Sequence, residues 1–190
     1  MYARLLEATG LPLLADADTG YGNVTNVARA VRAYERAGVA GLFIEDQVFP
    51  KRCGHMAGKA VVPLEEMLGK LKSALDARAD TDLVIMARTD ALAVNGIDDA
   101  IERAQACREA GADLLFVEAP TSIAEMRRIC SESGGPCLAN NVEAGASPLL
   151  STAELQAIGY AAVVFPVAAT YAVAHAVREL MAVLRRDGTT

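Results

Sequence analysis

The sequence predicts an α/β fold built on parallel strands, and three observations predict it. Short, nearly continuous apolar runs alternate with longer amphipathic stretches, as strands buried on both faces do when helices separate them. The same punctuation, Ala-Gly-Val at 37–39 and Ala-Gly-Ala at 110–112, precedes two of the runs, which marks a βα repeat. Nearly every run also ends in polar residues: Asp16 and Asp18, Glu45 and Asp46, Arg88 and Asp90, Glu118, Asn140. Groups gathered from many strand ends suit the catalytic face of a barrel, whereas a doubly wound sheet gathers its site at one switch point.

The chain opens in a helical pattern over 2–8, stopped by Gly10. Strands are expected at 11–18, 41–46, 83–90, 114–120, 136–141 and 161–166, and helices at 24–37, 63–77, 97–110, 123–133, 152–158 and 168–186. In the helix at 97–110, Asp98, Asp99 and Glu102 occupy the turns that the helix dipole makes favourable for acids, and Gly111 ends it. Six βα units are countable, where a (βα)8 barrel of TIM type takes about 250 residues. The expectation is one barrel domain over 1–190, lacking about two N-terminal βα units, with open strand edges that invite association.

Composition narrows the function. With 53% hydrophobic residues the chain buries enough apolar surface to fold, and with 18 Lys+Arg against 24 Asp+Glu it lacks the basic footprint of a nucleic-acid binder. No apolar run reaches the roughly 18 residues of a membrane span, and the first residues lack the basic and apolar regions of a signal peptide. A cytoplasmic location is expected. Of four cysteines, none in a C-x-x-C pair, Cys107, Cys130 and Cys137 are expected to pack structurally.

Three segments carry chemistry. Asp16 and Asp18, on alternate strand positions, can share one hard cation, or form a solvated turn; Glu45 and Asp46 nearby need a cation or basic residue to relieve their repulsion. Cys53 has Lys51, Arg52 and His55 within two residues, surroundings that activate a thiol, and Gly54 and Gly58 suit a loop that opens and closes; the other reading is an exposed basic loop. Arg88 suits a substrate carboxylate or phosphate, or pairs with Asp90 or Glu118. Asn140 and Asn141 offer uncharged donors or form a turn, and His175, without a partner, takes a packing or surface role.

The strings Asp-Ala-Asp-Thr-Gly-Tyr-Gly at 16–22, Ile-Glu-Asp-Gln at 44–47, Lys-Arg-Cys-Gly-His at 51–55 and Ala-Arg-Thr-Asp at 87–90 together resemble the isocitrate lyase/phosphoenolpyruvate mutase superfamily. The likeness runs over essentially the whole chain and is nearest to the methylisocitrate lyase-like branch. The resemblance implies that Asp16, Asp18 and Glu45 hold Mg²⁺ (or Mn²⁺), and that Cys53, with His55 and Lys51 beside it, is catalytic on a mobile loop. It further implies that Arg88, Glu118, Asn140, Gly54 and His55 contact substrate. It implies a homotetramer, with relatives carrying a C-terminal swapped helix beyond the point where this chain stops. The implied reaction is Mg²⁺-dependent cleavage of a small 2-hydroxy di- or tricarboxylate to a 2-oxo acid and a dicarboxylate, with Cys53 as proton donor. Asn140-Asn141-Val142-Glu143 stands in place of the Ser-Pro-Ser type segment of isocitrate lyases, which points to 2-methylisocitrate, a dimethylmalate-like acid or oxaloacetate. The alternatives are an oxaloacetate decarboxylase, a phosphonomutase-type enzyme (against which Cys53 argues), or an inactive barrel fragment.

Overall fold

The computed structural model describes residues 1–190. Helix α1 (Tyr2–Thr9) ends at Gly10, whose left-handed backbone (φ 63°) closes it. There follow β1 (Leu14–Asp16), α2 (Val24–Arg36), β2 (Gly41–Glu45), α3 (Leu64–Ala77), β3 (Val84–Thr89), the single turn α4 (Leu92–Asn95), α5 (Ile97–Glu109), β4 (Leu114–Val117), α6 (Ile123–Glu132), β5 (Leu138–Asn140), α7 (Thr152–Ile158), β6 (Ala162–Val164) and α8 (Ala168–Asp187). The expected strands and helices are all present, in order. The strands are shorter than their apolar runs because the last residues of each run leave the ladder to build loops, and α4 is an addition to the expected set.

Every strand pair is parallel. β1, β2, β3 and β4 pair in sequence order, β5 pairs with β6, and a bridge between Leu115 and Cys137 joins the two sheets. The result is an open six-stranded arc of the TIM type, with helices on its outer face.

Strand periodicity of two then decides which residues face which way. Outward go Ala15, Leu42 and Ile44, Ile85 and Ala87, Leu115 and Val117, and Ala139, all buried against the helices with Val27, Met67, Leu71, Ala104, Ile129 and Leu155. Inward go Phe43, Met86, Phe116 and Leu138, a small apolar plug in which the Phe43 and Phe116 rings meet edge to face at 6.0 Å. One pleat further along, the same inward parity carries Glu45, Arg88, Glu118 and Asn140 to the C-terminal ends of their strands, above the plug. The site therefore stands on an apolar floor, and Arg88 lies over the Phe116 ring at 4.9 Å.

Local sequence fixes the helices around this arc. Asn23 and Asn26 cap α2 reciprocally, Ser151 and Glu154 do the same for α7, and Ser122 caps α6. α8, like α1 and the short α4, buries no side chain, and along its length Tyr171, Val173, Val177, Leu180, Met181 and Leu184 are exposed.

The contrast between the layers is measurable. Leu71→Ala, at a fully buried position, should lower unfolding free energy by about 2–5 kcal/mol. Leu180→Ala, on the exposed face of α8, should change it by less than about 0.5 kcal/mol. Urea-unfolding midpoints read both.

Candidate active site

Asp16, Asp18 and Glu45 converge on one cation, the ammonium of Lys51. Its Nζ lies 2.5 Å from Asp18 Oδ1, and 3.4 Å from both Asp16 Oδ2 and Glu45 Oε2. The turn, rather than strand alternation, brings the two aspartates together. β1 ends at Asp16, Asp18 takes a left-handed backbone (φ 51°), and its N–H donates to Asp16 Oδ1 at 2.8 Å. Tyr34 on α2 steadies this turn, donating to the Asp16 carbonyl at 3.3 Å and pairing with the Tyr21 hydroxyl at 2.6 Å.

The acidic doublet Glu45-Asp46 divides by parity. Glu45 faces the site, while Asp46 faces the helices, accepting from Thr89 Oγ1 (2.7 Å), the Asp90 N–H (2.9 Å) and Arg103 on α5 (3.2 Å). Burial pushes the carboxyls of both Glu45 and Asp46 upward, Glu45 to about 7. Arg88 and Lys51 oppose the shift at Glu45 without overcoming it, because they stand 3.5 and 3.4 Å away.

Arg88 is the second centre. Its guanidinium touches three carboxylates: Asp90 (3.0 and 3.3 Å), Glu118 (3.3 Å) and Glu45 (3.5 Å). Burial also acts on Asp90, yet Arg88 and the Lys59 ammonium at 2.9 Å outweigh it and hold that carboxyl below its ordinary value. Glu118 is fully buried, and Asn140 Nδ2 donates to both its oxygens at 3.3 Å. His55 Nδ1 accepts from the Ala146 N–H at 3.0 Å, which leaves the ring proton on Nε2, 3.0 Å from Glu118 Oε1 but outside good hydrogen-bond geometry.

The loop that carries Cys53 and His55 is tied at its base and settles on these residues. Gln47 bridges Val61, and the Gln47 side chain exchanges two 2.9 Å bonds with the Arg52 backbone. A Cβ at Gly54 would lie 2.4 Å from Glu118 Cγ and 2.6 Å from Arg88 Nη2. Only glycine lets the loop come this close. A Cβ at Gly145 would likewise lie 2.8 Å from His55 Nδ1, so the loop after β5 closes against His55 from the other side.

All the expected site residues gather here: Asp16, Asp18, Glu45, Lys51, Cys53, Gly54, His55, Arg88, Glu118 and Asn140. One further expectation needs correction. Lys51 and His55 do not surround Cys53. They turn inward to the carboxylates, Lys51 to the part-exposed Asp16 and Asp18 and the buried Glu45, and His55 to the buried Glu118, while Cys53 itself is exposed. Asn140 and Asn141 split the two roles open to them: Asn140 faces the site, and Asn141 makes a turn by pairing with Leu150 in both directions. His175 is on the surface, Cys107 and Cys137 are buried and Cys130 is half-buried. The sequence reading gave no role to Lys59 or Gln47, whose one signal was their place at the two ends of the loop.

The donor set suits a divalent cation. Five carboxylates (Asp16, Asp18, Glu45, Asp90, Glu118) meet three permanent cations (Lys51, Lys59, Arg88), so acidic groups outnumber basic ones at the site. The three acids do not close into a metal cluster by themselves; they close around the Lys51 ammonium, which stands in for a cation. Glu45 Oε1 is buried without a partner, and so are His55 Nε2, Asn140 Oδ1, Glu143 Oε2 and Ser147 Oγ, five of the six such atoms found. Unpaired buried polar atoms concentrated at one face mark where a polar ligand belongs. The left-handed non-glycine residues Asp18, Tyr21, Ala119 and Ala144 also all lie in loops that follow strands on this face.

Comparison with known proteins places the chain among relatives. The model of the phosphoenolpyruvate phosphomutase family matches residues 1–185. The chain is 52% identical over 186 residues to 2,3-dimethylmalate lyase of Eubacterium barkeri, covering 98% of this chain and 64% of that protein. It is 50% identical over 187 residues to 2-methylisocitrate lyase of Escherichia coli (strain K12), covering 98% and 63%. A crystal structure of 2,3-dimethylmalate lyase superposes with a TM-score of 0.94 at 41% identity, over 98% of this chain and 64% of that one. The chain thus spans somewhat under two thirds of the length of these relatives.

The Arg88 cluster makes a prediction with a sign. Asp90→Asn should cost about 3–5 kcal/mol of stability at pH 7, since it leaves buried cations short of a partner. Asp90 ionises more readily folded than unfolded, so its contribution is complete above the ordinary value of 3.8 and fades as pH falls through the lower folded value. Urea midpoints of the two proteins should therefore converge in acid.

Proposed function

Because the chain belongs to the phosphoenolpyruvate mutase/isocitrate lyase superfamily, we propose that it is a carbon–carbon lyase. It cleaves a small 2-hydroxy di- or tricarboxylate, of the 2-methylisocitrate or dimethylmalate kind, to a 2-oxo acid and a dicarboxylate. The observation that carries the proposal is the convergence of Asp16, Asp18 and Glu45 on a single cation position beside Arg88, under a loop that bears a free thiol.

In this reading Asp16, Asp18 and Glu45 would hold Mg²⁺ (or Mn²⁺), which supplies Lewis acidity toward a bound hydroxyl and carboxylate. Without the metal, Lys51 keeps the three acids from repelling one another. Arg88 and Asn140 bind the substrate's carboxylates, Arg88 with a planar fork that matches them. Arg88 is already held rigid by Asp90 and the Phe116 ring, so little ordering remains to be done on binding. His55, with its proton on Nε2, donates toward substrate from beside Glu118. Loss of the hydroxyl proton to one of the site carboxylates forms the carbonyl of the 2-oxo acid and leaves the electron pair of the broken C–C bond on the dicarboxylate fragment, to whose carbon the Cys53 thiol gives a proton.

The same reading makes the enzyme cytoplasmic and a homo-oligomer, tetrameric like the proteins it resembles. No helix is long and apolar enough to cross a membrane.

Product analysis by mass spectrometry tests the reaction, using 2-methylisocitrate, isocitrate, dimethylmalate and oxaloacetate with Mg²⁺ or with chelator. A 2-oxo acid and a dicarboxylate should appear only with the metal. Cys53→Ser should slow their formation by about 10²–10⁴-fold. Carbon dioxide and pyruvate from oxaloacetate alone, unaffected by Cys53→Ser, would move the assignment to a decarboxylase. No turnover of any acid would overturn the lyase assignment.

A further inference from the structure

Lys59 is a lysine whose side chain is 1% exposed, and the reaction outlined above gives it no part. It stands at the rigid end of the loop, two residues before the Gln47–Val61 bridge. Its ammonium sits 2.9 Å from Asp90 Oδ1, which is fully buried and itself clamped by Arg88 at 3.0 and 3.3 Å. The same ammonium donates a short bond to the carbonyl oxygen of Gly54, at the loop's tip between Cys53 and His55. Gly54 in turn rests against Glu118 and Arg88. One buried cation thus connects the end of β3, through Asp90, to the tip of the loop.

We propose that Lys59 is a positioning residue, a strut that holds the loop tip down and so sets Cys53 and His55 over the site. Burying an ammonium is costly unless its donors are satisfied, and here one donor goes to the scaffold and one to the loop. Raising the tip removes the Gly54 carbonyl from Lys59, while Asp90 keeps the ammonium in place to receive it again. The closed position is therefore favoured by a contact internal to the protein, before any substrate arrives. The catalytic consequence rests on the lyase reading of Cys53. The mechanical part does not.

Hydrogen exchange read by mass spectrometry, on the full chain without metal or substrate, tests the strut. In Lys59→Met, the peptide over residues 51–58 should exchange about tenfold faster or more, while peptides over β2 and β3 keep their native rates. The value of kcat/KM on whichever acid the unmodified protein cleaves should fall about a hundredfold, with the loss carried by kcat. Unchanged exchange at 51–58 overturns the proposal, as does faster exchange with full kcat. Faster exchange in a protein whose unmodified form cleaves none of the acids leaves the strut standing and removes the lyase reading instead. A second measurement needs no variant and covers a Lys59→Met chain that fails to fold. Trypsin should cut the unmodified protein in the exposed end of α8 before it cuts after Lys51 or Arg52, and a first cut in the loop overturns the proposal.

Discussion

The guanidinium of Arg88 makes the active face of this protein possible. Glu45, Asp90 and Glu118 are each fully buried, and an isolated carboxylate in such a place would shed its charge rather than stay ionised. Arg88 meets all three at once and lies on an apolar floor built by Phe43, Met86 and Phe116. That position follows from register: Glu45 pairs with Arg88 across β2 and β3, Arg88 pairs with Phe116 across β3 and β4, and parity turns the polar residues inward together.

The consequences spread outward from this centre. Asp90, bound by two cations, is a firm anchor, whereas Glu45, at longer range from its own, keeps a raised proton affinity and an oxygen without a partner. The face therefore combines a fixed part, which orients, with an unsatisfied part, which has capacity to bind. The Asp16-to-Asp18 turn and the loop of Cys53 close over that second part, and the strained backbone at Asp18, Ala119 and Ala144 belongs to the same loops. On the outer side Asp46 uses the opposite parity to fasten β2 and β3 to α5 through Arg103. Neighbouring acids thus serve two layers.

Much of this was legible without coordinates. Local patterns encode elements: apolar runs gave the six strands, amphipathic stretches gave the helices between them, and Gly10 set a helix end. Polar residues at strand ends named the site, because a parallel strand buried on both faces has no other use for a charge at its terminus. The order of short motifs named the superfamily.

What the sequence alone determined was therefore the set of participants: the α/β fold, the acids Asp16, Asp18 and Glu45, the loop of Cys53 and His55, and Arg88, Glu118 and Asn140. Tertiary structure alone decided who pairs with whom. Lys51 lies two residues from Cys53 in the chain but belongs to Asp18, 33 residues away in sequence, and Lys59 belongs to Asp90. Proximity in sequence counts for little when one candidate partner is an exposed thiol and the others are carboxylates that the fold gathers, Glu45 and Asp90 among them fully buried, since the attraction grows as water is excluded. Which oxygens stay unpaired depends likewise on the complete set of neighbours, and those neighbours come from five different strands and the loops that follow them.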